Sequence, residues 1–217
     1  MRSQRRRDGD LNTEGIGLSM ELYLCRHGET EWTVSGKHTG KTDLPLTAEG
    51  ERQAAALRER LRGIHIDAVF TSPRKRAKST CEGMHAVADP LLVEWDYGDY
   101  EGLTSAEIGP AWDLFTQGAP GGETPLQVAG RADQFLKTVS RYKGKVAIFS
   151  HGHFLRMLAA RFLGLAPEMG NLFVLSVASL SILGFEKGRP AIILWNDARI
   201  FSKGAENPTP ERGSRRT

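Results

Sequence analysis

Hydrophobic positions along the chain fall into two spacings. Leu22-Tyr23-Leu24-Cys25 is a continuous apolar run that stops at Arg26-His27-Gly28, so it predicts a buried strand ending in a cation, an imidazole and a glycine. Thr47 reads as the cap of a helix over roughly 47 to 62, with Glu49 and Glu51 in its first turn and Ala54, Leu57 and Leu61 at helical spacing. Ala68-Val69-Phe70 predicts a short strand that ends at Thr71-Ser72-Pro73, with Pro73 in the first turn of the next helix. Val128, Ala132, Phe135, Leu136 and Val139 place a helix over Glu123 to Arg141. A strand over Lys145 to Ser150 follows, then an apolar helix from about 153 to 163. Ser179 to Phe185 and Ala191 to Trp195 predict two late strands joined through Gly188-Arg189-Pro190. Strands alternating with helices, without an internal repeat, predict a three-layer α/β/α fold: one domain over 20–202 around a mostly parallel sheet.

Chemistry gathers where the strands end. Phe149-Ser150-His151-Gly152 repeats the pattern of Cys25-Arg26-His27-Gly28, and the carboxyl ends of strands are where open α/β sheets bind ligands. If the two strands are neighbours, both imidazoles reach the same edge, with Gly28 letting backbone come close to whatever binds there. Arg74, Lys75, Arg76 and Lys78 start the helix after Ser72-Pro73. Three of them read as a solvated face, while Arg76, at a strand's carboxyl end, is placed to favour an anion. Two arginines and two imidazoles would make a phosphate cradle.

Charge sharpens this picture. The 217 residues carry a net +3, but residues 1–19 hold four arginines against three acids and 203–217 four bases against two acids, leaving 21 of each sign between. A nucleic-acid surface is therefore not expected. Residues 79–130 contain no lysine or arginine and nine acids, and Glu94-Trp95-Asp96-Tyr97-Gly98-Asp99-Tyr100-Glu101 sets carboxylates among aromatics. A carboxyl partly buried by Trp95 and Tyr97 would have its charged form disfavoured, as a general acid requires. Both polar tails, 1–19 and 203–217, read as disordered, and Met20 as a candidate start. Cys25 and Cys81 form no disulfide framework, and no signal peptide or membrane span is read, which points to the cytoplasm.

Other uses of these residues remain open at this point. His151-Gly152-His153 with His27 and a carboxylate could ligate zinc, although Arg26 opposes a cation there. The acid and aromatic stretch could be a partner surface. His153, His65 and His85 read individually as helix-face or surface histidines.

Taken together, Leu24 to Trp32, Thr39-Gly40, the Thr47 to Gln53 helix start, Thr71-Ser72 with Arg76-Ala77, Glu94 with Tyr97-Gly98 and Ser150-His151-Gly152 resemble the histidine phosphatase, or phosphoglycerate mutase-like, superfamily. The look is closest to its sedoheptulose-bisphosphatase-like members, and the resemblance runs from about Met20 to Asp197. It implies His27 as the residue phosphorylated in the reaction, Arg26, Arg76 and His151 as the phosphate pocket, and Glu94 as proton donor. Thr39 and Gly40 resemble the substrate-contacting loop, with Tyr97 and Gly152 beside the substrate. The implied reaction is hydrolysis of a small phosphomonoester, a sugar phosphate or bisphosphate, without metal or cofactor, and with a protonated His151 holding the phosphoryl oxygens. The alternative is mutase-type transfer, and a non-catalytic phosphate- or partner-binding module is a third. No base lies between Lys78 and Arg131, where mutases of the superfamily place cations, which favours the phosphatase. Only Lys37, His38, Lys41 or Arg156 remain to meet a second phosphate. The oligomeric state is not legible.

Overall fold

The first apolar run becomes β1, Glu21–Arg26, in a computed structural model that describes residues 20–199. Its side chains alternate between two apolar layers, Leu22 and Leu24 in one and Tyr23 and Cys25 in the other. In chain order there follow α1 (Glu31–Ser35), α2 (Ala48–Leu61), β2 (Ala68–Thr71), α3 (Lys75–Thr80), β3 (Val87–Ala88), α4 (Ser105–Ile108), α5 (Leu114–Gln117), α6 (Pro125–Val139), β4 (Lys145–Ser150), α7 (Gly152–Phe162), β5 (Leu180–Glu186) and β6 (Arg189–Asp197). The strands form one sheet in the order β3-β2-β4-β1-β5-β6. β3, β2, β4 and β1 run parallel, and β5 and β6 are antiparallel additions.

Both faces of the sheet are covered, as parallel strands require. α2 lays Leu57 and Leu61 on Tyr23, Cys25, Ala147 and Phe149. The opposite face packs α6, through Val128, Ala132, Phe135 and Val139, and α7, through Phe154, Leu155 and Leu158, on Leu22, Leu24, Val146 and Ile148. Burying one such side chain is worth about 1.5–3 kcal/mol, so these two helices are fixed by their apolar stripes. The three-layer, mostly parallel architecture expected from the sequence is the one found.

Differences lie at the ends of elements. Pro73 lies outside the first turn, since Arg74 caps α3 and the helix starts at Lys75. α6 starts at Pro125 because Thr124 accepts from the Gln127 amide, with the Gln127 side chain bonded back; Glu123 stays outside and pairs with Arg131. The β5–β6 turn is Lys187-Gly188, both at positive φ, so Arg189 and Pro190 belong to β6. α1, β3, α4 and α5, of two to five residues, were not foreseen, being too short to show an apolar period. α1 buries no side chain and is held by the reciprocal cap of Thr30 and Thr33. The arm over 1–19, the tail over 203–217 and the last three residues of the expected domain lie outside the described residues.

Candidate active site

Strand register brings the two histidines together. β1 and β4 pair in parallel with Arg26 opposite Ser150, and the His27 amide continues the ladder to the Ser150 carbonyl at 3.0 Å. His27 and His151 are therefore next on adjacent strands, with ring centroids 5.1 Å apart and planes at 64°. Both are buried. Gly28 serves a different end from the one expected: a Cβ there would stand 2.4 Å from the Gly50 carbonyl oxygen, so its close approach is to the first turn of α2, not to a ligand.

The hydrogen bonds fix both tautomers. His27 Nδ1 is 2.7 Å from the Gly28 carbonyl oxygen, which can only accept, so Nδ1 carries the proton and Nε2 keeps its lone pair. His151 Nδ1 accepts from Arg76 Nε at 3.1 Å, which leaves the proton on Nε2, 2.8 Å from Ser72 Oγ. Burial first, then the charges of Arg76 and Arg26, hold His27 well below the ordinary imidazole range. Burial and Arg76 do the same to His151, with His27, Arg26 and Arg74 adding to the shift. The ligand-free protein thus carries a neutral His151; the protonated ring implied by the resemblance concerns the state with phosphate held.

These shifts have a consequence for stability. Groups whose pKa is lower folded than unfolded add stability that is present above the unfolded value and lost as pH falls. Urea unfolding should show the midpoint dropping between pH 7 and pH 5, with these two imidazoles contributing up to about two protons taken up on unfolding. A flat midpoint across that interval would contradict a neutral buried pair.

In front of His27 lies a cleft of about 190 Å³. Of the residues the sequence singled out, Arg26, His27, Thr39, Glu94, Tyr97 and Gly152 line it. Arg76, His151 and Gly40 stand behind that wall. Arg26 donates through Nη1 to the Leu175 carbonyl, and its Nε is buried without a partner. Gly152 makes room for it, since a Cβ there would come within 3.1 Å of the guanidinium carbon. Arg76 is fully buried and commits four of its five N–H groups, one to His151 and three to the carbonyls of Thr39, Gly40 and Thr42.

Glu94, in the segment after Leu92, lines the cleft with His27 and sets its carboxylate against the first turn of α7. It is 7% exposed and accepts from the main-chain N–H of Trp95 at 2.9 Å, His153 at 3.1 Å and Phe154 at 2.8 Å. Glu94 is buried as expected, with Trp95 fully buried beside it in sequence, its indole N–H donating to the Glu123 carbonyl and its ring packed on Phe115. Arg131 holds the Glu94 segment from outside, donating to the carbonyls of Leu91, Val93 and Glu94 and to the Glu123 carboxylate.

One cleft histidine was read otherwise from the sequence, and three of the side chains reserved for a second phosphate, Lys37, His38 and Arg156, do reach the cleft. His153, taken for a helix-face residue, has Nδ1 2.6 Å from the Tyr97 hydroxyl, and burial followed by Arg156 holds it well below the ordinary imidazole range. Lys41 is tied to Asp96 at 2.7 Å. The one available signal for His153 was its place two residues past His151, in the first turn of a helix rising from the same strand end. His65 and His85 are exposed, as read. Among the described residues no three His, Cys, Asp or Glu side chains converge as a ligand set, and no helix is long and apolar enough to cross a membrane.

Most of the chain resembles several known proteins. The chain is 39% identical over 177 residues to an acid phosphatase of Mycobacterium tuberculosis, covering 77% of this chain and 87% of that protein. It is 33% identical over 190 residues to the sedoheptulose 1,7-bisphosphatase of Saccharomyces cerevisiae, covering 70% of each. A solved structure of the open reading frame Rv3214 from Mycobacterium tuberculosis superposes with a TM-score of 0.78 at 37% identity, over 82% of this chain and 97% of that one. A family model described as the histidine phosphatase superfamily (branch 1) matches residues 22–198.

Proposed function

The chain belongs to the histidine phosphatase superfamily, and on that premise we propose that it hydrolyses a small phosphomonoester through a phosphohistidine at His27. The observation that carries this reading is the His27 tautomer. With its Nδ1 proton given to the Gly28 carbonyl, Nε2 is a neutral nucleophile at the cleft, beside a buried Arg26 Nε that has no partner within the protein.

The steps follow from these residues. His27 Nε2 attacks phosphorus in line as the P–O bond to the substrate breaks. Arg26 faces the phosphoryl oxygens, and Arg76 adds its charge from behind His151. A second proton on His151 could go only to Nδ1, which already accepts from Arg76 Nε–H, so His151 stays neutral beside the phosphate and serves through Nε2–H as a donor. Glu94 protonates the departing alkoxide and, as the carboxylate, then takes a proton from the water that releases phosphate from His27. Since positioned charges act here without reorganising, the cradle supplies much of the acceleration.

Thr39, Tyr97, His38 and His153 give the outer wall hydroxyl and imidazole partners suited to a sugar phosphate. Phosphoglycerate mutases stand among the relatives as well, so the choice between hydrolysis and transfer falls to this chain's own residues. Lys37 and Arg156 are the outer-wall cations that favour transfer. Arg156 is drawn to the Gly170 carbonyl and Asn171, and the acidic stretch brings no further base, which favours water as acceptor. The free, buried Cys25 and Cys81 suit a reducing, cytoplasmic setting.

Phosphate release from a panel of sugar mono- and bisphosphates, with excess chelator, tests the reading. Release unaffected by chelator is expected. Inactivity on every monoester would favour a binding module, loss only with chelator a metal enzyme, and isomerisation of phosphoglycerate without phosphate release a mutase.

A further inference from the structure

The Thr39–Thr42 loop is gripped from both sides. On one side the Glu101 carboxylate accepts from the Gly40 N–H at 2.9 and 3.0 Å and from the Thr42 N–H at 2.9 Å. On the other, Arg76 donates to the carbonyls of Thr39 at 2.9 Å, Gly40 at 3.2 Å and Thr42 at 2.9 Å. A peptide unit is planar, with N–H and C=O pointing oppositely, so holding the Gly40 N–H on Glu101 turns the Thr39 carbonyl of the same unit toward Arg76, while the Thr42 N–H on Glu101 pins the far end of the loop. Gly40 fits between: a Cβ there would meet the Trp95 carbonyl at 2.5 Å and the Glu101 carboxylate at 2.8 Å. Glu101 reaches the loop because its own segment is zipped to it, His38 N–H to the Leu103 carbonyl at 2.8 Å and Gly102 N–H to the His38 carbonyl at 2.9 Å.

Arg76 passes this constraint on. Three of its N–H groups are oriented by the loop carbonyls, and a guanidinium is rigid and planar, so the direction of its Nε–H toward His151 Nδ1 is set as well. We propose that Glu101 is a positioning residue for the phosphate cradle, acting through the Thr39–Thr42 loop on Arg76 and through Arg76 on His151. It touches none of the reacting atoms. Its carboxylate fixes which imidazole nitrogen of His151 is held as acceptor and where that ring stands beside His27. The inference rests on the hydrolase reading only for its activity measurement.

Glu101→Gln removes the charge and turns an NH2 group against main-chain donors while keeping the size of the side chain. Hydrolysis of nitrophenyl phosphate by this variant should show kcat lowered by about 10- to 100-fold, the loss produced by small misplacements of a catalytic group, with KM changed less than about threefold. In the Arg76→Lys background the same substitution should add almost nothing, since its path runs through Arg76. With ¹⁵N-labelled histidine, and His151→Gln to assign the signal, His151 Nδ1 should move from its wild-type position in Glu101→Gln while the melting temperature stays close to that of the wild type. An unchanged kcat overturns the proposal. So does a lower kcat with an unmoved His151 signal, or losses that multiply with Arg76→Lys, since either means the damage travels elsewhere. If the wild type hydrolyses no phosphomonoester, the functional reading fails, and the His151 signal alone decides the role of Glu101.

Discussion

His27→Ala should lose phosphate release by at least about 10⁴-fold, the scale on which removing a nucleophile disables covalent catalysis. The reason is specific to this position. His27 follows β1 directly, and the other imidazoles near it are placed differently: His153 is engaged with Tyr97 at Nδ1, His38 meets Ser105 at Nε2, and His151, behind the wall, has both nitrogens bonded. Water attacking phosphate unaided starts from one of the slowest reactions known, with accelerations that reach ~10²¹, so charge stabilisation left in the cradle would not restore turnover. The wild type, quenched during turnover of a ³²P-labelled substrate, should carry a protein-bound adduct stable to alkali and labile to acid. That adduct should be missing from His27→Ala. Full activity in the variant would remove the covalent route altogether.

Glu94→Gln should divide substrates by leaving group. An alkyl phosphate departs as a strongly basic alkoxide and needs a proton in the transition state, so its kcat should fall by about 10²–10⁴-fold. Nitrophenolate needs none, and nitrophenyl phosphate should lose far less in the first step. The three main-chain N–H groups that meet the Glu94 carboxylate also hold its place against His27, and glutamine can retain part of that set through its amide oxygen. Equal losses on both substrates would contradict the role of proton donor and point to a group that only shapes the cleft.

Arg26, His27 and His151 were legible in the chain because each follows an apolar run of strand character, and a strand's end is visible in sequence. The helices α2, α6 and α7 were legible for a similar reason: long apolar stripes at helical spacing survive any detail of packing. His153 was not, since its pairing with Tyr97 joins residues 56 apart in the chain through contacts that no local pattern records. The grip of Glu101 and Arg76 on the Thr39–Thr42 loop was hidden in the same way. Glu101 was one of nine acids in residues 79–130, and nothing in its neighbours separates a carboxylate that holds main-chain N–H groups from one that faces water.

By itself, the sequence determined the layers, the strand order of events along the chain and the residue types at the strand ends, because apolar periodicity and the polar stops that interrupt it are local properties. The tertiary structure alone decided which protons sit on which nitrogens. The register of β1 against β4 put His27 beside His151, while burial and two arginines left both rings neutral. A charge state depends on what surrounds a group in three dimensions, and that surrounding comes into being only when distant segments meet.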